Sequence, residues 1–136
     1  MLNKRTECWN GRVNKIVVML LLTFATLWGV EFHSYEDALK LQKKNKKIIM
    51  IELMRAGCHY CVDMNRKVLQ DPGFSKWLDE RFMSVKINLD NEKLPKGMSV
   101  DLTPTFYFLN HKGEILKKIP GSWSIEDFRD LTEKIK

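Results

Sequence analysis

The sequence contains few of the residues that mark non-globular or disulfide-stapled proteins. Seven glycines, four prolines and three cysteines among 136 residues are too few for a linker-rich, collagen-like or disulfide-scaffolded chain. Hydrophobic residues make up 44% of the chain and charged residues 29%, which is typical of a globular protein. The length is that of one domain, since domains commonly contain about 100–150 residues.

The chain also lacks a large excess of one charge. The formal net charge is +6, but four basic residues and one acidic residue precede residue 31, and the remainder holds 19 basic and 16 acidic residues. A domain this close to neutral has no basic surface that would indicate a nucleic-acid partner. We therefore expect no nucleic acid among its ligands.

One long apolar run lies near the N-terminus. Residues 16–30 contain no charged residue, and four basic residues precede them. A basic segment followed by an apolar one is typical of a secretory signal, and the run is shorter than the roughly 20 residues of a membrane span. Because no A-x-A cleavage site is present, residues 1–30 are interpreted as a signal peptide or an N-terminal membrane anchor. Residues 31–136 are then an exported domain, in the bacterial periplasm, either soluble after cleavage or anchored by residues 16–30.

The exported part alternates between helical and strand patterns. A helix is expected after Ser34, whose spacing to Asp37 resembles a capping box, and a second capped helix after Ser124. The other predicted elements are a buried strand over 48–54, a helix from Cys58 that ends at Asp71-Pro72-Gly73, a short helix over 74–81, a strand over 82–90 and a hairpin of strands over 105–109 and 114–119. A strand–helix–strand unit implies parallel pairing. The predicted fold class is α/β, with a mixed central sheet (a parallel βαβ unit followed by a β-hairpin) flanked by helices.

The segment Cys58-His59-Tyr60-Cys61 joins the buried strand to the next helix. Unpaired N–H groups and the dipole at a helix N-terminus favour an anion, so the pKa of Cys58 should lie below the roughly 8.5 of a free thiol. Cys61 shares an apolar helical face with Met64 and Val68 and should be the more buried cysteine. The pattern predicts that Cys58 attacks a target disulfide and that Cys61 resolves the mixed disulfide.

Other interpretations of the cysteine pair are less favoured. A structural disulfide across so short a loop would contribute little stability through chain entropy. A zinc site normally has four ligands, and His33, His59 and His111 have no standard spacing to the pair. These two remain as alternatives, whereas haem attachment is excluded because it needs histidine directly after the second cysteine, where this chain has Val62.

The chain resembles the thioredoxin family over nearly all of residues 31–136. The resemblance is carried by the CHYC motif after a buried strand, by Thr103-Pro104-Thr105 before the hairpin and by Lys112-Gly113 in the hairpin turn. The KKNKK segment before the first long strand, and Leu69-Gln70-Asp71-Pro72 after the site helix, are similar to the exported, single-domain thioredoxin-like branch.

The resemblance implies roles for three further residues. Pro104 would be the cis-proline that lies against the CxxC pair, in a loop that offers backbone groups to an extended substrate segment, and Thr103 would contact the substrate. The family often has a buried acid at the position of Glu52, near the second cysteine. Burial would raise the pKa of this carboxyl, so that it could accept or supply the proton of Cys61. The other interpretation of Glu52 is an exposed residue at a sheet edge.

The two residues between the cysteines are expected to tune the pair. A cationic His59 beside the Cys58 thiolate would stabilise the reduced form and make the protein more oxidising. Family members with histidine in this dipeptide tend to be oxidants, but usually have it at the second place, where this chain has Tyr60, as some isomerases do. The resemblance therefore does not decide the direction. Gly57 stands where thioredoxins usually carry tryptophan, which puts the ordinary thioredoxin substrate range in doubt.

The sequence thus predicts an exported thiol–disulfide oxidoreductase that needs no organic cofactor or metal, because its redox group is the Cys58–Cys61 disulfide. The expected partners are cysteine-containing exported proteins and a membrane thiol electron donor, and we expect a monomer. A reductant is favoured, since the chain lacks the dimerisation domain of exported isomerases and the inserted helical domain of dedicated oxidants. The alternatives are a module that holds a soft metal such as Cu(I) through two thiolates and a non-catalytic structural domain.

Overall fold

The structure is a computed structural model and describes residues 29–136. The predicted leader, residues 1–30, lies outside the described residues except for its last two. Within the described part, no helix has the length and apolar character that crossing a membrane requires.

The described residues form one mixed sheet with helices on both faces. In chain order the elements are β1 (Phe32–His33), α1 (Tyr35–Asn45), β2 (Ile48–Met54), α2 (His59–Met64) with a π-helical turn (Asn65–Leu69), α3 (Pro72–Arg81), β3 (Phe82–Asn88), β4 (Thr105–Leu109), β5 (Ile115–Pro120) and α4 (Ile125–Thr132). The strand order is β1-β3-β2-β4-β5. β3 pairs in parallel with β1 and β2, and β4 is antiparallel to β2 and β5. The predicted α/β fold, a parallel βαβ unit followed by a hairpin, is confirmed.

The central strand β2 is covered on both faces. On one face Met50 belongs to a cluster with side chains of α2, α3 and α4, among them Met64 and Phe128. On the other face Ile51 packs in a second cluster with Ala38 of α1. Since side chains alternate between the faces of a strand, burial on both faces explains why this strand has an almost continuous apolar sequence.

Side-chain caps begin the helices where the sequence indicated them. The Ser34 hydroxyl accepts a hydrogen bond of 3.1 Å from the backbone N–H of Asp37, and Ser124 does the same for Asp127 at 3.1 Å. Each hydroxyl satisfies an N–H group that has no partner within its helix. The serine half of each predicted capping box is therefore present, while the Asp37 and Asp127 carboxylates accept from the serine hydroxyls at 2.7 Å.

The start of α3 and the edge of the sheet differ from the sequence prediction. The helix begins at Pro72 instead of residue 74, because the Asp71 carboxylate caps the N–H of Phe74 at 2.8 Å. Proline suits the first helical position, where its missing N–H is not needed, so the Asp71-Pro72-Gly73 segment ends one helix and begins the next. The two-residue strand β1, Phe32–His33, was not predicted, since its existence depends on pairing with β3.

Candidate active site

The cysteine pair lies at the carboxyl end of the central strand. β2 ends at Met54, and Cys58 is the N-cap residue of α2. The two cysteines form a disulfide bond, with their Cα atoms 5.3 Å apart. The Cys58 Sγ accepts a hydrogen bond of 3.1 Å from the backbone N–H of Cys61. A thiolate at Cys58 would receive this N–H group at a helix N-terminus, where a negative charge is favoured.

The two cysteines differ in exposure. Cys61 is 2% exposed and lies on the buried face of α2, as Met64 does, whereas Cys58 is half-buried. The sequence predicted this order from the apolar face that Cys61 shares with Met64 and Val68. Cys58 is thus the more accessible cysteine for an incoming sulfur atom.

The loop before the cysteines is held by an acid that sequence reasoning did not single out. The Asp90 carboxylate, in the segment after β3, accepts a hydrogen bond of 2.6 Å from the Ala56 N–H and contacts Arg55 Nη1 at 3.3 Å. Gly57 has φ +71°, in the left-handed region that favours glycine. A residue with a Cβ would strain the backbone in this conformation.

The Thr103-Pro104 segment lies against the sulfur of Cys58. Leu53 of β2 pairs with Thr105 of β4, so the chain after β2 and the chain before β4 meet at the same sheet edge. The Thr103 hydroxyl donates a hydrogen bond of 3.3 Å to Cys58 Sγ, and the Thr103 carbonyl oxygen lies 3.5 Å from that sulfur. The Thr103–Pro104 peptide bond is cis. The structure therefore brings Thr103 and Pro104 together with the cysteine pair.

Glu52 is buried in the sheet and is not an edge residue. Its side chain is 1% exposed, and its neighbours in the adjacent strands are Lys86 and Phe106. Burial raises the pKa of Glu52, and the positive charge of Lys86 opposes that shift. Lys86 Nζ lies 3.3 Å from Glu52 Oε2, yet this oxygen has no hydrogen-bond partner within residues 29–136. A buried carboxyl whose pKa is raised is suited to accept a proton.

Glu52 lies on the same sheet face as the CxxC helix. It follows Met50 by two residues and so shares its face of the strand, and Met50 belongs to the same buried cluster as Met64 of α2. Its partner Lys86 donates a hydrogen bond of 3.2 Å to the Asn65 side-chain oxygen, and Asn65 follows Cys61 by one helical turn. Lys86 and Asn65 were missed in the sequence, although a buried acid requires a counter-charge and Lys86 falls on the polar side of the β3 alternation.

His59 and Tyr60 are exposed on the first turn of α2. His59 Nε2 lies 3.5 Å from an Asp63 carboxylate oxygen, and its ring packs edge-on against Tyr60 with centroids 5.8 Å apart. A hydrogen bond from Lys67 is the main cause that lowers the pKa of Asp63, and the charge of His59 adds to it. The structure thus places His59 against an acid one turn along the helix.

A metal site is not supported by the side chains of the described region. Residues 29–136 contain no group of three or more His, Cys, Asp or Glu side chains that could hold a metal ion. The Cu(I) alternative gains no support from the fold or from the comparisons that follow.

Comparisons with known proteins agree with the geometry. The family model for the thioredoxin-like domain matches residues 35–136. A thioredoxin from Thermus thermophilus is 28% identical, with a TM-score of 0.66, and the match covers 79% of this chain and 87% of that chain. No curated protein sequence matches the chain.

Two more distant structures share the fold. A DsbH oxidoreductase is 17% identical with a TM-score of 0.62, covering 78% of this chain and 86% of that one. The reduced C-terminal domain of DsbD from Neisseria meningitidis is 17% identical with a TM-score of 0.61, covering 74% and 93%. The family match spans most of the chain and includes the bonded cysteine pair beside Thr103-Pro104. The chain therefore belongs to the thioredoxin-like family and is a thiol–disulfide oxidoreductase.

Proposed function

We propose that this protein is an exported reductant that donates electrons to disulfides of other exported proteins and is recharged by a thiol donor at the membrane. The observation that carries the exchange chemistry is the half-buried Cys58 sulfur, which has a helix N-terminus on one side and Thr103 on the other. Export is supported by the uncharged run of residues 16–30 behind a basic segment. The redox group is the Cys58–Cys61 pair, and the step needs no further cofactor.

The reaction starts from the dithiol form. The Cys58 thiolate attacks one sulfur of the target disulfide, the target S–S bond breaks, and the first target thiolate leaves and takes a proton from solvent. Cys61 then gives its thiol proton to the Glu52 carboxylate and attacks Cys58 Sγ. The Cys58–Cys61 bond forms, the mixed disulfide breaks, and the second target thiolate leaves and takes a proton from solvent. Two electrons have moved to the target, and the protein is left as the disulfide.

Polypeptide substrates are supported by the surface beside the cysteines. Tyr60 and Val62 on α2 and Leu102 before Thr103 are large apolar side chains that remain exposed. Clustered exposed apolar groups are typical of surfaces that bind other proteins. The Thr103 carbonyl beside Cys58 Sγ provides a backbone acceptor for an extended segment.

The segment that connects β3 to β4 supports a role as a reductant. Residues 89–104 contain no helix, so the inserted helical domain of dedicated oxidants is absent from this connection. The exposed His59 faces Asp63. A positive charge on His59 would favour an oxidant, and the negative charge of Asp63 beside it opposes that effect. The protein is expected to act as a monomer.

Insulin reduction with dithiothreitol tests the exchange activity. The full chain is expected to accelerate insulin precipitation, and Cys58→Ser to abolish that acceleration. Cys8→Ser is the matched control, because it removes the cysteine that precedes the apolar run and should keep parent activity. Insulin reduction by Cys58→Ser at the parent rate would show that Cys58 is not the nucleophile.

Trapping in cells tests the direction and the partners. Cys61→Ser leaves the attacking thiol without its resolving partner, so mixed disulfides should accumulate. Exported proteins are expected among the trapped species, together with a membrane protein that supplies thiols. A parent chain that is found mainly oxidised in cells, and whose loss leaves client cysteines reduced, would indicate an oxidant instead.

A further inference from the structure

The ammonium group of Lys86 is held by three different elements. Its Nζ lies 3.3 Å from Glu52 Oε2 of β2, donates a hydrogen bond of 3.2 Å to Asn65 Oδ1 after α2, and lies 4.2 Å from the centre of the Phe32 ring of β1. Of these three partners of Lys86, Asn65 is uncharged and accepts a hydrogen bond in a defined direction. The position of the positive charge beside the buried carboxylate therefore depends on the Asn65 side chain.

A solvent-accessible cleft reaches this cluster from the β1 edge of the sheet. The cleft has a volume of about 510 Å³ and is lined by residues that include Phe32, Asn65 and Lys86. This volume accommodates several waters. Glu52 is 1% exposed, whereas the Lys86 side chain is 28% exposed. Lys86 is therefore the solvent-accessible member of this ion pair.

The resolution step leaves a proton on Glu52 that must reach solvent before the next cycle. At that moment a substrate segment occupies the face formed by Cys58 and Thr103. Neither of these residues lines the cleft, so the cleft gives the proton a second way out that the substrate does not cover.

The turn that carries Asn65 departs from the regular helix. Residues Asn65–Leu69 form a π-helical turn, closed by a hydrogen bond of 2.9 Å from the Gln70 N–H to the Asn65 carbonyl oxygen. Such single turns inside helices are frequent at functional sites. The turn follows Met64 directly, and its first residue, Asn65, lines the cleft.

We propose that Asn65 is a positioning residue for the resolution step, which holds the Lys86 ammonium against the Glu52 carboxylate at the mouth of the cleft. The inference rests on the proposed role of Glu52. The proton passes from the Cys61 thiol to the Glu52 carboxylate and leaves for solvent on the side where Lys86 lines the cleft. Lys86 stays protonated throughout and stabilises the ionised carboxylate.

Electrostatics set the direction of the expected effect. Burial raises the pKa of Glu52, and Lys86 is the opposing charge. Without the Asn65 acceptor, Lys86 can turn toward solvent, its attraction for the carboxylate weakens, and the pKa rises further. The other charged groups on the cleft are Glu31 and Asp79. Neither residue is substituted in the variants that test the proposal.

Single-turnover kinetics of Asn65→Ala test the proposal. The reduced full chain is mixed with a disulfide-bonded peptide, samples are quenched with acid, and decay of the mixed disulfide is followed by mass spectrometry from about pH 5 to about pH 9. The midpoint of the resolution rate is expected to move upward by about half a unit, a slowing of about threefold below the midpoint. Attack by Cys58, measured in a Cys61→Ser background, should keep its parent pH profile.

Three further variants separate positioning from a structural role. Lys86→Met should shift the midpoint further in the same direction, and adding Asn65→Ala to it should have no additional effect, because Asn65 acts through Lys86. Asn45→Ala is the matched control: its side-chain oxygen also accepts one hydrogen bond, from the Lys47 N–H at 2.9 Å, away from the cleft.

The inference is overturned by an unshifted profile in Asn65→Ala, with or without a lower melting temperature. It is also overturned if Glu52→Gln resolves with the parent profile. That second result leaves the proposed exchange intact as long as Cys58→Ser fails to reduce insulin, so the two failures are distinguishable.

Discussion

Glu52→Gln tests whether the buried carboxyl makes the stability of the fold depend on pH. Burial raises the pKa of Glu52 in the folded protein, so the folded chain binds this proton more tightly than the unfolded chain. The stability from protonated Glu52 is fully present below the unfolded pKa of about 4.3 and is lost as pH rises through the folded pKa. Glutamine has no such transition. The stability of the parent, relative to the variant, should therefore fall as pH rises between these two values.

The structure sets the size of this effect. Each unit by which folding raises the pKa corresponds to about 1.4 kcal/mol of unfolding free energy. The 1% exposure of Glu52 favours a large shift, and Lys86 at 3.3 Å reduces it. Removing the carboxylate leaves Lys86 with the Asn65 acceptor, the Phe32 ring and 28% exposure. The loss of the ion pair should therefore add little to the difference in unfolding free energy between Glu52→Gln and the parent.

Urea unfolding of the oxidised protein, at steps from about pH 4 to about pH 8, measures the difference. Glu52→Gln should be more stable than the parent at neutral pH, with the difference shrinking toward the acid end. Glu80→Gln makes the same change at an exposed position and should run parallel to the parent. A constant difference between Glu52→Gln and the parent across the whole range would refute the reasoning.

Two further substitutions test the surroundings of Cys58. Thr103→Val removes the hydroxyl that lies 3.3 Å from the sulfur. Alkylation of reduced Cys58 by iodoacetamide at neutral pH should then slow about tenfold, since a hydrogen bond to a charged group is worth about 1.5–3 kcal/mol. An unchanged rate would show that the hydroxyl does not stabilise the thiolate. Gly57→Ala should lower the unfolding free energy by about 1–2 kcal/mol, because φ is +71° although the added Cβ would meet no atom within 4 Å. Gly73→Ala, at an ordinary helical φ, should raise the unfolding free energy by about 0.5–1 kcal/mol, so a loss of the same size in both variants would contradict the backbone argument.

Features of the site that depend on neighbouring residues were predictable. The N-cap position of Cys58 and the burial of Cys61 follow from the spacing of Cys61, Met64 and Val68, which lie on one face of a helix of 3.6 residues per turn. The place of Thr103 beside the pair came from resemblance to a family, because no local pattern joins residues that are 45 positions apart.

The side-chain environment created by neighbouring strands was not predictable. Whether Glu52 was buried or exposed depended on which strands would flank β2, since a central strand is covered on both sides and an edge strand is not. The contact of Lys86 with Asn65 likewise depends on how the π-helical turn crosses β3. Strand β1 consists of two residues and exists only through its partner.

The sequence alone determined the helices, the strands other than β1, the N-cap hydrogen bonds of Ser34 and Ser124 and the order of burial of the two cysteines, because each follows from periodicity and hydrogen bonding within a few residues. The tertiary structure alone decided that the Glu52 carboxylate is buried, that Lys86 and Asn65 surround it and that a cleft connects them to solvent. These depend on the register of neighbouring strands and on the packing of a helix across them, where distant segments meet at distances that no local pattern encodes.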